Sequence, residues 1–361
     1  MRPLLLHVFP TFDSGGAQTR FLALANYFGT GLRHVVIAMD GRTGCAAQIA
    51  PSVELTCKDV SARKGTHAGN LVNFRRILGD IRPNLLITHN WGSIEWAAAR
   101  IGTAIRHIHI EDGFGPDEAR AQYRRRVLAR RILLKRSTLV VPSRTLERVA
   151  RDIWRIPSGN LRFIPNGIDV KRFERSEGTR KPVPVIGTVS ALRAEKNLPR
   201  LLQAVAQTSR SIPCRLTIVG DGPERPALER LAQELGLTDH VTFVGHVSDP
   251  SRLYSEFDVF ALTSDTEQMP YTVLEAMAAG CAIAATDVGD IFSMVSPENQ
   301  PFVVPRTVEA VSAALLQLLA DPSLRNKIGA ANLERVRRDY SQDRMFRAFA
   351  ETYDLPALTA I

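Results

Sequence analysis

Two carboxylates, Glu267 and Glu275, stand eight positions apart in the segment Ser264-Asp-Thr-Glu-Gln-Met-Pro-Tyr-Thr-Val-Leu-Glu-Ala-Met-Ala-Ala-Gly280. A strand-like run precedes the segment, Pro270 marks a turn, and a helix opens after it. One acid therefore falls before the helix start and the other inside the helix. Between them runs the backbone of Met269, Pro270, Tyr271, Thr272 and Val273, at a helix start that favours anions. Acceptor carboxylates beside anion-attracting amides suit a ligand that is both rich in hydroxyls and phosphorylated, such as a nucleotide-sugar. The structural alternative is a solvated Glu267 and a helix-surface Glu275.

Other residues extend this chemistry. Lys196 and Arg193 precede an amphipathic stretch and could neutralise a diphosphate, or could be solvated charge. Gly15 and Gly16 form a glycine pair before a helical run, where a turn or a close backbone approach needs no side chain. His107 and His109 lie two apart on a strand with Glu111 beyond them, which allows a metal site or a pair of structural histidines. The chain has no Asp-x-Asp, the usual feature by which metal-dependent sugar transferases hold a divalent ion at the diphosphate. Lys196, Arg193 and helix-start amides could instead meet the charge of a phosphorylated ligand, so no metal or other cofactor is expected and any activity should survive EDTA.

The elements that must position these groups alternate along the chain. Leu4–Phe9, Val35–Met39, Leu85–Thr88, Ile105–Ile110 and Leu139–Pro142 read as strands, separated by amphipathic stretches at Ala17–Phe28, Leu71–Asp80 and Asp117–Arg136. Arg172–Pro184 has the composition of a linker. Beyond it Val185–Val189, Leu216–Val219, Val241–Val244, Val259–Leu262 and Ile283–Ala285 repeat the pattern, with helices at Asn197–Gln207, Glu224–Leu235 and Tyr271–Ala279. Continuous apolar strands between helices imply parallel sheets covered on both faces. The expectation is an N-terminal acceptor-binding domain over 1–175 and a C-terminal nucleotide-sugar-binding domain over 176–340. A last helix within 341–361, with Ser341 as its cap, is expected to close the second domain or pack back on the first.

Composition narrows the classes. The 361 residues are 45% hydrophobic and 23% charged, no apolar run approaches a membrane span, and the short apolar start reads as a buried strand. A cytoplasmic protein is expected. Cys45, Cys57, Cys214 and Cys281 lie far apart and read as reduced thiols. The net charge of +9 favours an anionic partner, yet the aromatic fraction of 7% and the absence of a helix-turn-helix pattern argue against nucleic acid. The charge is concentrated, with eight basic residues, from Arg120 to Arg136, against Asp117 and Glu118 in one helical stretch. That stretch is either a solvated face or a surface for peripheral docking on the inner, anionic face of a membrane.

Taken whole, the segment from Ser264 to Gly280 resembles the Glu-x7-Glu signature of glycosyltransferase family 4, and Ala-Thr-Asp-Val-Gly at 285–289 continues it. Ile164-Pro-Asn-Gly-Ile-Asp169, Gly187-Thr-Val-Ser-Ala-Leu-Arg-Ala-Glu-Lys-Asn197, Gly220-Asp-Gly-Pro-Glu-Arg225 and Asp13-Ser-Gly-Gly-Ala-Gln18 resemble further stretches of the family in its order. The resemblance implies an α/β architecture of GT-B type, two Rossmann-like doubly wound domains facing across a cleft. It implies a retaining hexosyltransferase working by same-face attack, which moves a sugar from a nucleoside diphosphate donor to a glycan or lipid-linked acceptor in bacterial polysaccharide or glycolipid assembly. Glu275 would bind the donor ribose and Glu267 the sugar hydroxyls. Lys196 and Arg193 would hold the pyrophosphate, with Gly15, Gly16 and Gly220 allowing backbone approach. His109 would stand near the reacting carbon. The chain departs from the family at Ala191, where arginine is frequent, at Asp112, where a second histidine is common, and at Gln268, where glycine is frequent. The competing expectations are a nucleotide-sugar epimerase of the same fold and an inactive nucleotide-sugar-binding protein.

Overall fold

A computed structural model of the chain describes residues 2–13, 15–60, 67–114, 118, 121–174 and 183–355. Among these, two parallel sheets appear. The first holds β1 (Leu4–Phe9), β2 (Arg33–Ala38), β3 (Glu54–Cys57), β4 (Leu85–His89), β5 (Arg106–Ile110), β6 (Thr138–Val141) and β7 (Leu161–Phe163), in the order β3-β2-β1-β4-β5-β6-β7. The second holds β8 (Val185–Val189), β9 (Arg215–Val219), β10 (Val241–Gly245), β11 (Val259–Leu262), β12 (Ala282–Thr286) and β13 (Val303–Val304), in the order β10-β9-β8-β11-β12-β13. The order of each sheet reverses once, which is the doubly wound Rossmann-like arrangement.

The sequence pattern explains the layering. Strands β4, β11 and β12 are buried at every position, as their unbroken apolar runs require when helices cover both faces. The edge strand β10 alternates half-buried and exposed residues instead. Inside β8, a Cβ on Gly187 would come within 2.1 Å of the Phe257 ring, so this position is glycine to admit the side chain that precedes β11.

The chain divides into one unit of residues 1–166 with 345–361, and a second of residues 167–344. Part of the expected linker, residues 175–182, lies outside the described residues. The two segments that pass between the units run side by side within the second one: Ile168 N donates to Tyr340 O at 2.9 Å and Gln342 N to Ile168 O at 2.9 Å. The final helix, Gln342–Tyr353, begins just after Ser341. Its Met345, Phe346, Phe349 and Tyr353 join Leu5, Leu24 and Phe28 in the core of the first unit.

The arginine-rich helix is shorter than the sequence implies. It covers Arg124–Leu133 instead of Asp117–Arg136, and 115–117 and 119–120 lie outside the described residues. Tyr123 is extended (φ −66°, ψ 126°) and starts the helix, while Ser137 N bonds back to Leu134 O at 3.0 Å and turns the chain into β6. Its charges are also divided. Arg130 is fully buried, with Nε 3.2 Å from Glu111 Oε2 and Nη2 3.4 Å from Glu118 Oε2. Its guanidinium lies over Trp154 and Trp91, 4.7 and 5.0 Å from the ring centroids.

Candidate active site

In the second sheet the order reverses between β8 and β11, where Val259 pairs with Ile186 and Phe260 with Gly187. Open α/β sheets bind ligands outside the carboxyl ends of the strands at such a reversal. Here the loop after β8 carries Arg193 and Lys196, and the loop after β11 carries Glu267. Side chains cross-tie them. Asn197 takes a left-handed conformation (φ 44°) and caps helix Leu198–Ser209 by accepting from Arg200 N, while its Nδ2 donates to Asp265 Oδ2 at 3.0 Å. Arg200 donates to Asp265 Oδ1 at 2.8 Å and to Thr263 O at 2.7 Å. Asp265 N in turn reaches Glu195 O at 2.8 Å.

This tie brings Lys196 Nζ to 2.6 Å from Glu267 Oε1, with the lysine side chain 23% and the carboxylate 11% exposed. Ser264 Oγ donates to the same oxygen at 2.8 Å. Glu267 Oε2 has no partner among the described residues. Arg193 is exposed and has no ion-pair partner among them. The loop after β12 supports the acid from behind. Gly289 has φ 59°, and a Cβ there would lie 2.4 Å from Glu267 O. Asp290 N donates to Gln268 O at 2.9 Å. Gly220, at φ 131°, would place a Cβ 1.8 Å from Ser190 O, so the end of β9 touches the backbone of the Lys196 loop.

Glu275 lies in helix Tyr271–Ala278, whose Pro270 provides no side-chain cap. The Val273 amide bonds to Pro270 O at 3.2 Å, so it is already used within the first turn and leaves the set of amides expected to meet an anion. The Tyr254 hydroxyl donates a hydrogen bond to Glu275 Oε2. Burial pushes the Glu275 carboxyl above its ordinary range, and the Tyr254 bond opposes that rise. Burial also drives the Tyr254 hydroxyl well up, helped by the neighbouring carboxylate. Tyr254 itself is held among Phe173, Phe257 and Phe260. Neither Tyr254 nor the Asn197–Arg200–Asp265 tie was anticipated; Tyr254 has no sequence signal, whereas an asparagine before Leu-Pro-Arg is a readable helix cap.

The remaining expected residues belong to the first unit. Gly15 precedes helix Gly16–Phe28 and its carbonyl accepts from Thr19 N at 2.9 Å. Ser14 is outside the described residues. The loop is closed by buried Gln18, whose Nε2 donates to Thr11 O at 2.6 Å. His109 is fully buried: Nδ1 lies 2.7 Å from Thr88 Oγ1 and Nε2 3.6 Å from Glu111 Oε2. His107 Nε2 meets the same Thr88 hydroxyl at 2.8 Å, so the two rings share a threonine and do not converge as metal ligands do. Among the described residues no cluster of histidine, cysteine, aspartate or glutamate has metal-site geometry. Asp112 pairs with buried Arg20 at 2.6 Å, and Arg20 also donates to Asn166 Oδ1 at 2.9 Å. An anion at 112 therefore balances a cation already inside the unit.

Known proteins share this plan. The description "Glycosyltransferase Family 4" matches residues 14–172, and "Glycosyl transferases group 1" matches residues 169–335. An uncharacterized glycosyltransferase of Methanocaldococcus jannaschii is 26% identical over 232 residues, covering 60% of each chain. A GDP-mannose-dependent alpha-(1-6)-phosphatidylinositol monomannoside mannosyltransferase of Mycobacterium tuberculosis is 30% identical over 216 residues, 54% of this chain and 56% of the relative. The match thus spans less than two thirds of the length of these curated relatives. Among solved structures, Anabaena HepE in complex with UDP-glucose superposes with a TM-score of 0.81 at 17% identity, over 99% of this chain and 100% of that one. Two doubly wound units with this likeness define the GT-B class. Both matched models describe glycosyltransferases, and together they span residues 14–335 of the chain.

Proposed function

We propose that the protein is a retaining glycosyltransferase that takes a sugar from a nucleoside diphosphate donor to a glycan or lipid-linked acceptor, without a metal ion. One observation carries the reading. The two loops flanking the strand reversal of the second sheet bring a lysine and a glutamate to 2.6 Å of one another, beside an unpaired exposed arginine. Breaking a bond between a sugar and a diphosphate puts negative charge on the departing phosphate. Lys196 and Arg193 supply positive charge for it at a helix-capped loop. The Lys196–Glu267 contact holds the ammonium in place and leaves Glu267 Oε2 open to sugar hydroxyls. Glu275, held by Tyr254, offers its other oxygen to the ribose.

In this reading the attack occurs on the face from which the diphosphate departs, a phosphate oxygen takes the acceptor's proton, and Glu267 positions the sugar without becoming its nucleophile. A panel of UDP- and GDP-sugars tested by thermal shift identifies the donor, since ligand binding to the folded state raises Tm. Turnover of that donor unchanged in EDTA supports metal independence; complete loss restored by magnesium refutes it. The relative named above acts on a phosphatidylinositol mannoside, which makes lipid-linked acceptors the first to try.

Peripheral docking on an anionic membrane is part of the same proposal. No helix among the described residues is long and apolar enough to cross a membrane. On helix Arg124–Leu133, Leu128 and Ile132 are 56% and 62% exposed, one turn apart, beside exposed Arg124, Arg125 and Arg131. Apolar side chains among cations suit an anionic lipid surface. Flotation with liposomes containing anionic lipid, at low and high salt, tests this; no binding at low salt removes it.

A further inference from the structure

Five side chains of the first unit lie in one line of hydrogen bonds that ends at His109, and the ends of the line differ in kind. At one end Arg100 Nη2 is 3.3 Å from Ser137 Oγ and 3.0 Å from Arg136 O. Ser137 Oγ is 2.7 Å from His107 Nδ1, His107 Nε2 is 2.8 Å from Thr88 Oγ1, and Thr88 Oγ1 is 2.7 Å from His109 Nδ1. At the other end His109 Nε2 faces Glu111 Oε2 at 3.6 Å, with Arg130 Nε 3.2 Å from that same oxygen. Ser137, Thr88, His109 and Glu111 are at most 1% exposed, and His107 is 5% exposed.

A guanidinium only donates hydrogen bonds and an ion-paired carboxylate only accepts them. Arg100 must therefore give a proton to Ser137 Oγ. The Ser137 hydroxyl has one proton of its own and one remaining partner, so it donates to His107 Nδ1. Burial, with the neighbouring His109 ring and the Arg100 guanidinium adding to it, pushes the His107 pKa well down, so the ring carries a single proton. That proton is then on Nε2 and is given to Thr88 Oγ1. Thr88 passes its own proton to His109 Nδ1. His109 is left with its proton on Nε2, toward the carboxylate. The reverse direction would leave the Ser137 proton without an acceptor and set a bare nitrogen lone pair against Glu111.

We propose that Arg100, Ser137, His107 and Thr88 act as positioning residues that fix His109 as the Nε2–H tautomer, so that this histidine presents a hydrogen-bond donor and not a base. Among the described residues, His109 Nε2 is a buried polar atom without a hydrogen-bond partner, as is Glu111 Oε1. A donor held ready in this way fits an oxygen acceptor, and proton abstraction by Nε2 is excluded. The consequence for catalysis rests on the proposed part of His109 in sugar transfer, whereas the tautomer does not.

The experiment separates the two. Full-length protein labelled with 15N-histidine is examined by long-range 1H–15N correlation, with the His109 signals assigned by their loss in His109→Asn. Wild type and Thr88→Ser are expected to show His109 protonated at Nε2 and bare at Nδ1, with His107 also protonated at Nε2. Thr88→Val, which removes the hydroxyl, is expected to give a mixture of His109 forms. Nδ1 protonation of His109 in wild type overturns the proposal, and so does an unchanged His109 pattern in Thr88→Val. Should that variant fail to fold, the wild-type spectrum decides alone. In turnover, Thr88→Val is expected to lower kcat about 10-fold with little change in donor KM, and Thr88→Ser to restore it. Unchanged kcat beside the expected spectra leaves the tautomer standing and removes His109 from the reaction.

Discussion

The two units place their ionisable groups in opposite ways. In the first, His7, His34, His89, His107 and His109 are buried, and Arg20 and Arg130 lie inside with Asp112, Glu111 and Glu118 as their counter-ions. In the second, His240 and His246 are exposed, and the charged groups of the candidate site, Arg193, Lys196 and Glu267, ride on loops at the strand ends. Both sheets reverse strand order in the same way, so the difference comes from side chains and not from topology. The buried charges named in the first unit act on its stability; in the second, exposed Arg193 and partly exposed Lys196 and Glu267 are available to a ligand, although Arg325 is buried there and Glu275 largely so.

Removing one member of a buried ion pair strands its partner, and this is the largest effect expected. Arg130→Ala should destabilise the first unit by about 3–5 kcal/mol, measured by guanidinium denaturation, because buried Glu111 loses its cation and Glu118 keeps only Arg126 among the described residues. Arg124→Ala, on the exposed side of the same helix, should change stability by less than ~0.5 kcal/mol. Equal effects would erase the contrast between buried and exposed charge.

Lys196→Ala should reverse the pattern, costing roughly 2–4 kcal/mol in kcat/KM with a far smaller change in stability. Near-wild-type turnover would remove the diphosphate contact from the proposed mechanism.

Acid should discriminate between the units next. Burial holds His7, His89 and His107 well below the ordinary imidazole value and brings His34 down to about 4. The unfolded chain then binds more protons than the folded one below pH ~6.5, so stability rises with pH and is lost as pH falls from 6.5 toward 4. His34 alone contributes about 3 kcal/mol across that window. Tyrosine and tryptophan fluorescence with fragment-specific proteolysis at pH 5 should show the first unit opening before the second. The reverse order would mean that these rings do not control acid stability.

A smaller effect is expected at Tyr254→Phe, which takes the hydroxyl from Glu275 and should weaken donor binding by about 1 kcal/mol, read as KM. The smallest concerns Ile132→Ser on the exposed face of the arginine-rich helix: stability unchanged within ~0.5 kcal/mol, with reduced liposome flotation.

Much was legible from residues alone, because local rules dominate where it was. Unbroken apolar runs such as Ile283–Ala285 and Val259–Leu262 require two covered faces, and their alternation with amphipathic stretches leads to two parallel sheets. The spacing of Glu267 and Glu275 around Pro270 put one acid before a helix and one within it, as found. Tertiary structure decided which groups meet. Lys196 and Glu267 are 71 positions apart and join only because Asn197, Arg200 and Asp265 lace two loops across a strand reversal. Periodicity gave the arginine-rich stretch no reason to end at Leu133 or to turn Arg130 inward; Trp91, Trp154, Glu111 and Glu118, distant in sequence or beyond its start, supply that reason. Hydrophobic pattern and turn chemistry act over a few residues and can be read along a line, whereas charge pairing and tautomer choice depend on neighbours that exist only after the chain has folded.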